Sequence, residues 1–481
     1  MDEIRVGLDF GTHQTKICVS RIPDEGHGVP EYEFFQFVDQ KGEVQYFIPS
    51  VVQINKDNTL SYGYVDPKNE KDCMPLPRME VVNYVDIGDI EDAAEELYSK
   101  YTVGEDDEDE SKAVLKEMLR NKCEIDKSTY KVRSEKAQAK YDEEMSAYNK
   151  DKNLFRYFKQ ATFAEYPWEC KIEPEVLCVW YIAYIIFLLE DRYPEGFAIN
   201  MGVPTDDKNY HQKQELGTRI LLTAYHLVEE VYHQDLRAFL KEKVNDLIGK
   251  TFLLPFSEDE KEYNRINIFP EAYASLIGLT SRGKLSEGMS INADIGGGTT
   301  DISFFIVKNR TPHIYKYWSI PCGLNYIAEM SGFDYSEKDF VKNAHKDIIA
   351  KFNKKKEDIV YNLERNLIEM VRERGILKSN LIKALKDRIL VYNGGGSTYS
   401  QISTPINLFS DVKVADADLW SEEIVKDKTK VGKLFNLLTT AYGLSVSEDD
   451  SEVVLRDFDN LLSSYKKVES NERSEIDKDV C

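Results

Sequence analysis

Apolar and polar residues alternate along two distant stretches of the chain, and a glycine turn interrupts each of them. In Ile4–Ser20 an apolar run ends at Asp9, and a second run follows the turn Gly11–Thr12. In Ile291–Val307 alternating apolar residues stand on both sides of three consecutive glycines. A period of two predicts β-strands, and a glycine-rich break between two such runs predicts a hairpin. We therefore predict two β-hairpins of the same design, one in each half of the chain.

Extended and helical patterns follow one another through the rest of the chain. The strand Phe197–Val203 precedes an amphipathic stretch, Leu216–Ile248, that predicts one long helix. Ile266–Leu279 predicts a strand that leads directly into a helix. The most apolar run, Val176–Leu189, has 14 residues. Because a membrane-spanning helix needs about 20 apolar residues, this run predicts a buried core helix.

The second glycine turn carries residues suited to a phosphate and a metal ion, namely Asp294, Gly296, Gly297, Gly298, Thr299 and Asp301. Glycines let another group approach the backbone, and the exposed N–H groups of such a turn form an anion-binding concavity. Carboxylates beside that concavity suit a Mg²⁺ ion whose water ligands they hold. A solvated glycine hairpin is the alternative for one turn alone. A glycine turn that follows a strand ending in aspartate occurs twice, however, and a third glycine turn lies in Ile389–Ile402.

The order of the three turns resembles that of the actin-like ATPase superfamily, and most of all the nucleotide-binding domain of DnaK-type, seventy-kilodalton heat-shock chaperones. The family pattern DxGT, DxGGGTxD and GGST is met at Asp9–Thr12, Asp294–Asp301 and Gly395–Thr398. This resemblance implies two ribonuclease-H-like α/β lobes around a nucleotide cleft, with ATP or ADP and Mg²⁺ as cofactors. It covers residues 1–66 and 153–450 and leaves no room for the chaperone's peptide-binding domain.

The resemblance also implies roles for individual residues. The nucleotide phosphates would contact Gly11, Thr12, Gly296, Gly297, Gly298, Thr299 and Gly323. The adenosine would lie against Gly395, Gly396, Ser397 and Tyr399. Asp9 and Asp294 would hold Mg²⁺ through its waters. Either Asp301 or Glu271 would orient the attacking water, and either Lys159, as in the chaperones, or Lys16, as in actin, would contact the terminal phosphate.

Three positions depart from the family pattern. Phe269 stands where the family has the glutamate before proline that arranges the metal's waters, and Glu271 lies just beyond it. Tyr399 replaces an arginine that stacks on adenine, and Gly323 is what remains of a glycine pair. The first departure leaves open whether hydrolysis is fast, slow or lost.

The domain organisation follows from the same comparison. Residues 1–285 form lobe I, with residues 86–152 as an inserted helical arm that is either solvated or a docking surface for a protein partner. Residues 286–450 form lobe II, with the adenosine turn and a closing helix. Residues 451–481 form an acidic tail whose only helical pattern is Val453–Leu462.

The composition of the chain limits the kinds of partner that it is expected to bind. The formal net charge of −23 disfavours a nucleic-acid backbone as partner. Seven cysteines without paired spacing and an N-terminus without a signal-peptide pattern predict a reducing, cytoplasmic location away from the membrane. We expect an ATP-dependent conformational switch that acts on a protein. A filament-forming protein of the actin type and a small-molecule kinase of the same superfold remain alternatives, and the oligomeric state is open.

Overall fold

The computed structural model describes residues 2–23, 30–65, 90–98, 112–121, 123–124, 153–164, 168, 170, 172–204, 210–280, 285, 287–320, 322–332, 339–373, 389–406, 411–414, 434–447, 450 and 453–456. The chain forms two compact units, of which the larger combines Met1–Leu76 with Lys152–Cys481 and the smaller is Pro77–Asp151. Strands and helices are mixed along the larger unit, as expected for the α/β class.

The described strands are β1 Glu3–Phe10, β2 Gln14–Ile22, β3 Glu31–Phe34, β4 Phe37–Val38, β5 Val44–Gln45, β6 Ile48–Pro49, β7 Val52–Ile54, β8 Leu60–Tyr62, β9 Leu154–Phe155, β10 Ala198–Val203, β11 Ile266–Pro270, β12 Gly288–Ile295, β13 Thr300–Lys308, β14 Thr311–Ile320, β15 Ile389–Asn393, β16 Asp411–Val414 and β17 Val454–Leu455. The described helices are α1 Ile90–Tyr98, α2 112–121, α3 Phe158–Ala164, α4 Pro174–Arg192, α5 Tyr210–His226, α6 Leu236–Lys241, α7 Val244–Lys250, α8 Glu258–Tyr263, α9 Glu271–Thr280, α10 Leu324–Ser331, α11 Phe340–Asn343, α12 Lys346–Glu373 and α13 Phe435–Val446.

Two six-stranded sheets in the larger unit share one strand order. The first runs β11-β10-β1-β2-β3, with β6 also paired to β2, and the second runs β16-β15-β12-β13-β14-β17. In each, an antiparallel hairpin is followed by a third antiparallel strand on one side and two parallel strands on the other. Both predicted hairpins are therefore confirmed. Their registers place Asp9 opposite Lys16 and Asp294 opposite Asp301.

Two helices cross between the sheets and tie them together. Helix α9 follows the last strand of the first sheet but contacts β14 of the second, whereas α13, which follows β16 of the second sheet, packs on β1 and β2. The helices lie so close that a Cβ on Gly443 would stand 1.7 Å from the carbonyl oxygen of Ala274. A Cβ on Gly7 would stand 2.2 Å from the carbonyl oxygen of Ala441. The closing helix, assigned above to lobe II, thus packs against the sheet of lobe I.

Helix α4 is the main core helix of the first sheet, as its apolar sequence predicts. Its residues from Leu177 to Ala183 are buried, and they pack with strand residues such as Val6 and Leu8 in one continuous cluster. Both faces of β1 are covered, since every residue of the strand after Glu3 is buried, including Arg5 and Asp9. In the part of the chain that is described, no helix is both long enough and apolar enough to cross a membrane.

Two predicted helices are wrong. Leu216–Ile248 is not one helix: α5 ends at His226, a π-helical segment covers Leu227–Val231, and positive φ angles at His233 and Gln234 turn the chain before α6. Amphipathic periodicity does not register such a break, because the turn residues are polar like the exposed face of a helix.

The helix predicted at Val453–Leu462, within the acidic tail, is also wrong in its described part. Val454 and Leu455 form β17, which pairs in parallel with His313 and Ile314 of β14. The open edge of the second sheet offers backbone partners that an isolated segment lacks. Residues 457–481 lie outside the described residues.

The smaller unit contains a pair of antiparallel helices. Ion pairs of 2.9 Å between Glu95 and Lys116 and 2.7 Å between Glu91 and Arg120 connect α1 to α2. Ala94 and Leu119 are buried. The acidic run 104–110 lies outside the described residues.

Candidate functional site

A cleft of about 700 Å³ lies in the larger unit where the two hairpin turns meet. It stands at the carboxyl ends of β1 and β12, above the beginnings of α9 and α13. Its lining residues are Asp9, Gly11, Thr12, His13, Gln14, Lys16, Lys159, Glu271, Asp294, Gly296, Gly297, Gly298, Thr299, Asp301, Gly394, Asn436, Leu437 and Thr440.

The first turn is held tightly by its own backbone. The N–H of Gly11 donates to the carbonyl oxygen of Asp9 at 3.0 Å, and the Ser50 hydroxyl donates to the carbonyl oxygen of Gly11 at 2.7 Å. A Cβ on Gly11 would lie 2.4 Å from the carbonyl oxygen of Gln14. Only glycine therefore fits this turn.

The second turn is supported from beneath by the start of α10. The N–H groups of Leu324 and Asn325 donate to the carbonyl oxygens of Gly296 and Gly297 at 3.0 and 2.9 Å. A Cβ on Gly323 would lie 2.3 Å from the carbonyl oxygen of Gly297. Gly323 therefore packs under the turn, where it fixes the shape of the cleft without being part of its lining.

The two turns touch each other through His13. A Cβ on Gly297 would lie 2.2 Å from Cδ2 of His13, and one on Gly298 would lie 3.2 Å from Cγ2 of Thr12. The imidazole also lies edge-on to Tyr157, with 4.9 Å between the ring centroids. Burial, together with nearby positive charge from Arg156 and Lys16, lowers the pKa of His13 to about 3, so the ring is neutral.

Four carboxylates and two lysines converge on the cleft. Lys16 binds Oδ2 of Asp9 at 3.0 Å. Lys159, whose side chain is 3% exposed, donates a hydrogen bond to Oε1 of Glu271 and lies over the ring of Phe10. The remaining carboxylates, Asp294 and Asp301, have no lysine partner among the described residues.

The pKa values of these two aspartates are raised by their surroundings. Burial, together with the charges of Asp301, Asp9 and Glu271, raises the pKa of Asp294 to about 7, while Lys16 acts in the opposite direction. Burial and the charge of Glu271 raise the pKa of Asp301 to about 6. The surplus negative charge favours binding of a cation. Within the described ranges no three His, Cys, Asp or Glu side chains are arranged to bind a metal ion directly.

The third turn approaches the cleft one residue earlier than predicted. Gly394 has a φ of 77°, and a Cβ there would lie 2.3 Å from Oδ1 of Asp294. The Asn436 amide donates to the carbonyl oxygen of Gly394 at 3.0 Å and to the Ser397 hydroxyl at 2.7 Å. Ser397 is buried, so this predicted site residue braces the turn.

The other predicted members of the third turn lie farther from the carboxylates. A Cβ on Gly396 would lie 2.2 Å from Cγ2 of Ile295, so this glycine allows close packing on β12. A Cβ on Gly395 would meet Leu437 and Leu324 at ordinary contact distance. Tyr399 is half-buried, with its ring 6.3 Å from that of Phe340. It lies outside the residues that line the cleft.

Two further predicted residues are placed as follows. Lys159 is the second residue of helix α3, one turn beyond the short strand β9, and not part of a strand. Glu271 begins α9 and points into the cleft, while Phe269 is fully buried against Tyr273. The carboxylate thus reaches the cleft from two residues after Phe269.

Sequence reasoning missed six lining residues, namely His13, Gln14, Gly394, Asn436, Leu437 and Thr440. Two of them could have been found from their spacing: Asn436 and Thr440 are four residues apart on a helix, so their side chains lie on the same face. The Thr440 hydroxyl lies 3.5 Å from Oδ2 of Asp294.

Neither a protein-family model nor a curated protein matches this sequence.

Proposed function

We propose that this chain is an actin-like, DnaK-related protein that binds Mg-ATP, hydrolyses it and acts as a conformational switch on a protein partner. One observation carries the proposal: two sheets in which five strands follow the same order each contribute a glycine hairpin with a cleft-facing aspartate to one site. An internal duplication around a shared cleft is what the resemblance of the three motifs implies.

The two glycine turns are the proposed phosphate-binding elements. Side chains are excluded at Gly11 and Gly297 by their neighbours, so both turns present bare backbone that ligand oxygens can approach closely. Lys16 and Lys159 both line the cleft and add positive charge to it. On nucleotide binding, their ammonium groups would be shared between the carboxylates they now bind and the phosphate oxygens.

The carboxylate surplus fits a magnesium ion. Asp9 and Asp294 come from different sheets and line the same cleft, and we propose that they hold the ion through its waters. Mg²⁺ supplies neutralisation of charge on the phosphate oxygens. Asp294, whose pKa is raised to about 7 by burial and neighbouring acids, would be held in its ionised form by that positive charge.

Hydrolysis needs a group that orients water and accepts its proton. The water oxygen forms a bond to the terminal phosphorus, the bond from that phosphorus to the bridging oxygen breaks, and the electron pair leaves with ADP. Asp301 suits the role of proton acceptor, because its pKa is raised to about 6 by burial and by Glu271. Lys159, held by Glu271, would balance the charge of the transferred phosphoryl group.

Lobe closure is the proposed switch. Each lobe sends one helix onto the other lobe's sheet, so a nucleotide that contacts both hairpins biases the arrangement of both. The smaller unit, Pro77–Asp151, is the proposed contact for a protein partner.

Two measurements test this function: ATP binding by calorimetry with Mg²⁺ present, and phosphate release without added substrate. Asp294→Asn should lower phosphate release by roughly a hundredfold or more, as for other lost electrostatic groups, while ATP affinity falls less. Asp259→Asn, at an exposed position of α8, is the matched control and should change neither quantity. A wild-type protein that binds no ATP, or an Asp294→Asn variant with unchanged turnover, would overturn the proposal.

A further inference from the structure

A second cavity lies at the opposite end of the first sheet from the cleft. It is formed by the end of α4, the turn into β10, the π-helical segment and the end of α8. β10 and β11 begin beside it and run in parallel with β1 toward the cleft. Since β10 spans six residues, the two sites are separated by roughly 20 Å. The cavity contains about 1020 Å³ of space and is open to solvent.

Two residues that line this cavity each carry a buried polar atom with no hydrogen-bond partner among the described residues. Tyr225 is 6% exposed, and its hydroxyl oxygen is fully buried. Oε2 of Glu190 is equally buried. Buried polar atoms in folded proteins nearly always have a partner, so two unpartnered oxygens in one cavity indicate a ligand that supplies donors.

The cavity carries excess negative charge. Glu190 lies near Glu229, and burial together with the charge of Glu229 raises the pKa of Glu190 to about 7. A third acid, Glu195, is already paired with Arg21 at 3.3 Å. Arg265 is the basic lining residue, and it is exposed. A ligand that enters here is therefore favoured if it is a cation.

The walls are aromatic. Tyr193, Phe197 and Tyr263 line the cavity, and Tyr263 is 83% exposed. Cations bind favourably over aromatic faces, and the Arg21 guanidinium already lies 5.5 Å from the ring centroid of Tyr193. Aromatic walls suit a cation with carbon surface better than an inorganic ion, which needs oxygen ligands on all sides.

We propose that this cavity binds an organic cation, an alkylammonium or guanidinium group, that donates hydrogen bonds to Glu190 and Tyr225 while its carbon chain packs against the aromatic walls. A free small molecule and a lysine or arginine side chain of a partner protein present the same chemistry. This cavity is separate from the nucleotide cleft, so a test of cation binding here does not depend on whether the protein is an ATPase.

Calorimetric titration of the full chain with agmatine and with cadaverine, at mildly alkaline pH where Glu190 is ionised, tests the site. Glu190→Gln should weaken binding by about tenfold to a hundredfold, since hydrogen bonds to charged groups are the stronger ones. Tyr225→Phe should weaken it by a few-fold. Glu230→Gln is the matched control, because Glu230 is exposed on the same π-helical segment and does not line the cavity.

Thermal unfolding separates ligand binding from a structural role of Glu190. Without a cation, Glu190→Gln should melt at the same temperature as the wild type or higher, because it removes a buried carboxylate that lacks a partner. With agmatine in excess, only the wild type and Glu230→Gln should gain melting temperature.

The source of the cation is decided by a parallel titration with capped lysine and arginine peptides. If agmatine or cadaverine binds and the binding depends on Glu190, a free small molecule is enough to occupy the cavity. Binding of the peptides alone, with the same dependence, identifies a protein side chain. The proposal is overturned if none of these probes binds at about 10 mM, an affinity too weak to be specific, or if Glu190→Gln leaves binding unchanged.

Discussion

At the scale of single residues, the cleft is defined by pairs that lie far apart in sequence. Lys159 and Glu271 are separated by 112 positions, yet they form a nearly buried ion pair. Lys16 and Asp9, by contrast, face each other across one hairpin, at positions equivalent to Asp301 and Asp294 in the other. One hairpin therefore carries a lysine where the other carries an aspartate, which makes the two hairpins chemically different.

Tyr399 gives a prediction for nucleotide affinity. If its half-buried ring stacks on adenine, Tyr399→Ala should weaken ATP binding about tenfold, since stacking of a base on an aromatic ring contributes about 1–3 kcal/mol. Tyr399→Arg should restore most of the affinity, because a guanidinium plane also stacks. Affinity and melting temperature are measured together. If Tyr399→Ala lowers only the melting temperature, and Tyr399→Arg binds no better than Tyr399→Ala, the ring merely packs against Phe340.

Lys356 gives a prediction for pH dependence. It is 1% exposed on α12, where Nζ donates to the carbonyl oxygen of Ile402, and burial lowers its pKa from the ordinary 10.5 to about 7. Between these values the unfolded chain binds a proton that the folded chain does not. Stability therefore rises with pH in this window and is lost as the pH falls toward 7.

The measurement is urea unfolding of wild type and Lys356→Met at several pH values. From pH 7 upward, the wild type should gain free energy of unfolding relative to Lys356→Met, by up to roughly 1 kcal/mol per pH unit. Lys351→Met, at an exposed position of the same helix, should show no such trend relative to the wild type. Parallel profiles for Lys356→Met and wild type would contradict the lowered pKa.

At the scale of elements, the crossing of α9 and α13 sets the geometry of the cleft. α13 carries Asn436 and Thr440 to the carboxylates, and α9 carries Glu271 at its first position. The carboxyl end of α13 is held by the Asn200 amide, which donates to the carbonyl oxygens of Leu444 and Ser447 at 2.7 and 2.8 Å. Helix α13 is thereby held at its carboxyl end by the sheet that does not contain its preceding strand.

Gly443→Ala tests this crossing. The added methyl group would lie 1.7 Å from the carbonyl oxygen of Ala274, so the helices must separate, and we expect a loss of roughly 1–3 kcal/mol of unfolding free energy or more. Gly249→Ala is the control: it lies in helix α7 with no atom within 4 Å of the added methyl group, and should stabilise by roughly 0.5–1 kcal/mol. Chemical denaturation measures both, and equal effects of the two substitutions would refute the close crossing.

At the scale of the whole molecule, the larger unit is interrupted by the smaller one, Pro77–Asp151. The chain resumes at β9, where Leu154 and Phe155 pair with β7, so the larger unit completes a small sheet with residues from both sides of the interruption. The strands of this small sheet therefore all come from residues outside the intervening unit.

Replacing Pro77–Asp151 by a short Gly/Ser linker should leave ATP binding within about tenfold, because a change of loop length costs little free energy. Engagement of a protein partner should be lost. Calorimetry and a pull-down that compares the full chain with the shortened chain measure the two outcomes. Simultaneous loss of solubility and ATP binding would place the segment in the core and refute its role as an insertion.

The sequence by itself determined the elements whose signal is local. A period of two predicts β1–β2 and β12–β13, and glycines between aspartates mark the turns, because strand faces and turn conformations depend on neighbouring residues. The core helix α4 follows from its composition for the same reason.

Tertiary structure decided what depends on distant contacts. It alone paired Lys159 with Glu271, placed Gly394 against Asp294, and turned Val454–Leu455 into a strand on an open sheet edge. It also divided the helix predicted at Leu216–Ile248 and sent α13 onto the opposite sheet. The physical reason is that such choices are made by packing between residues hundreds of positions apart, and no local periodicity records which surfaces will meet.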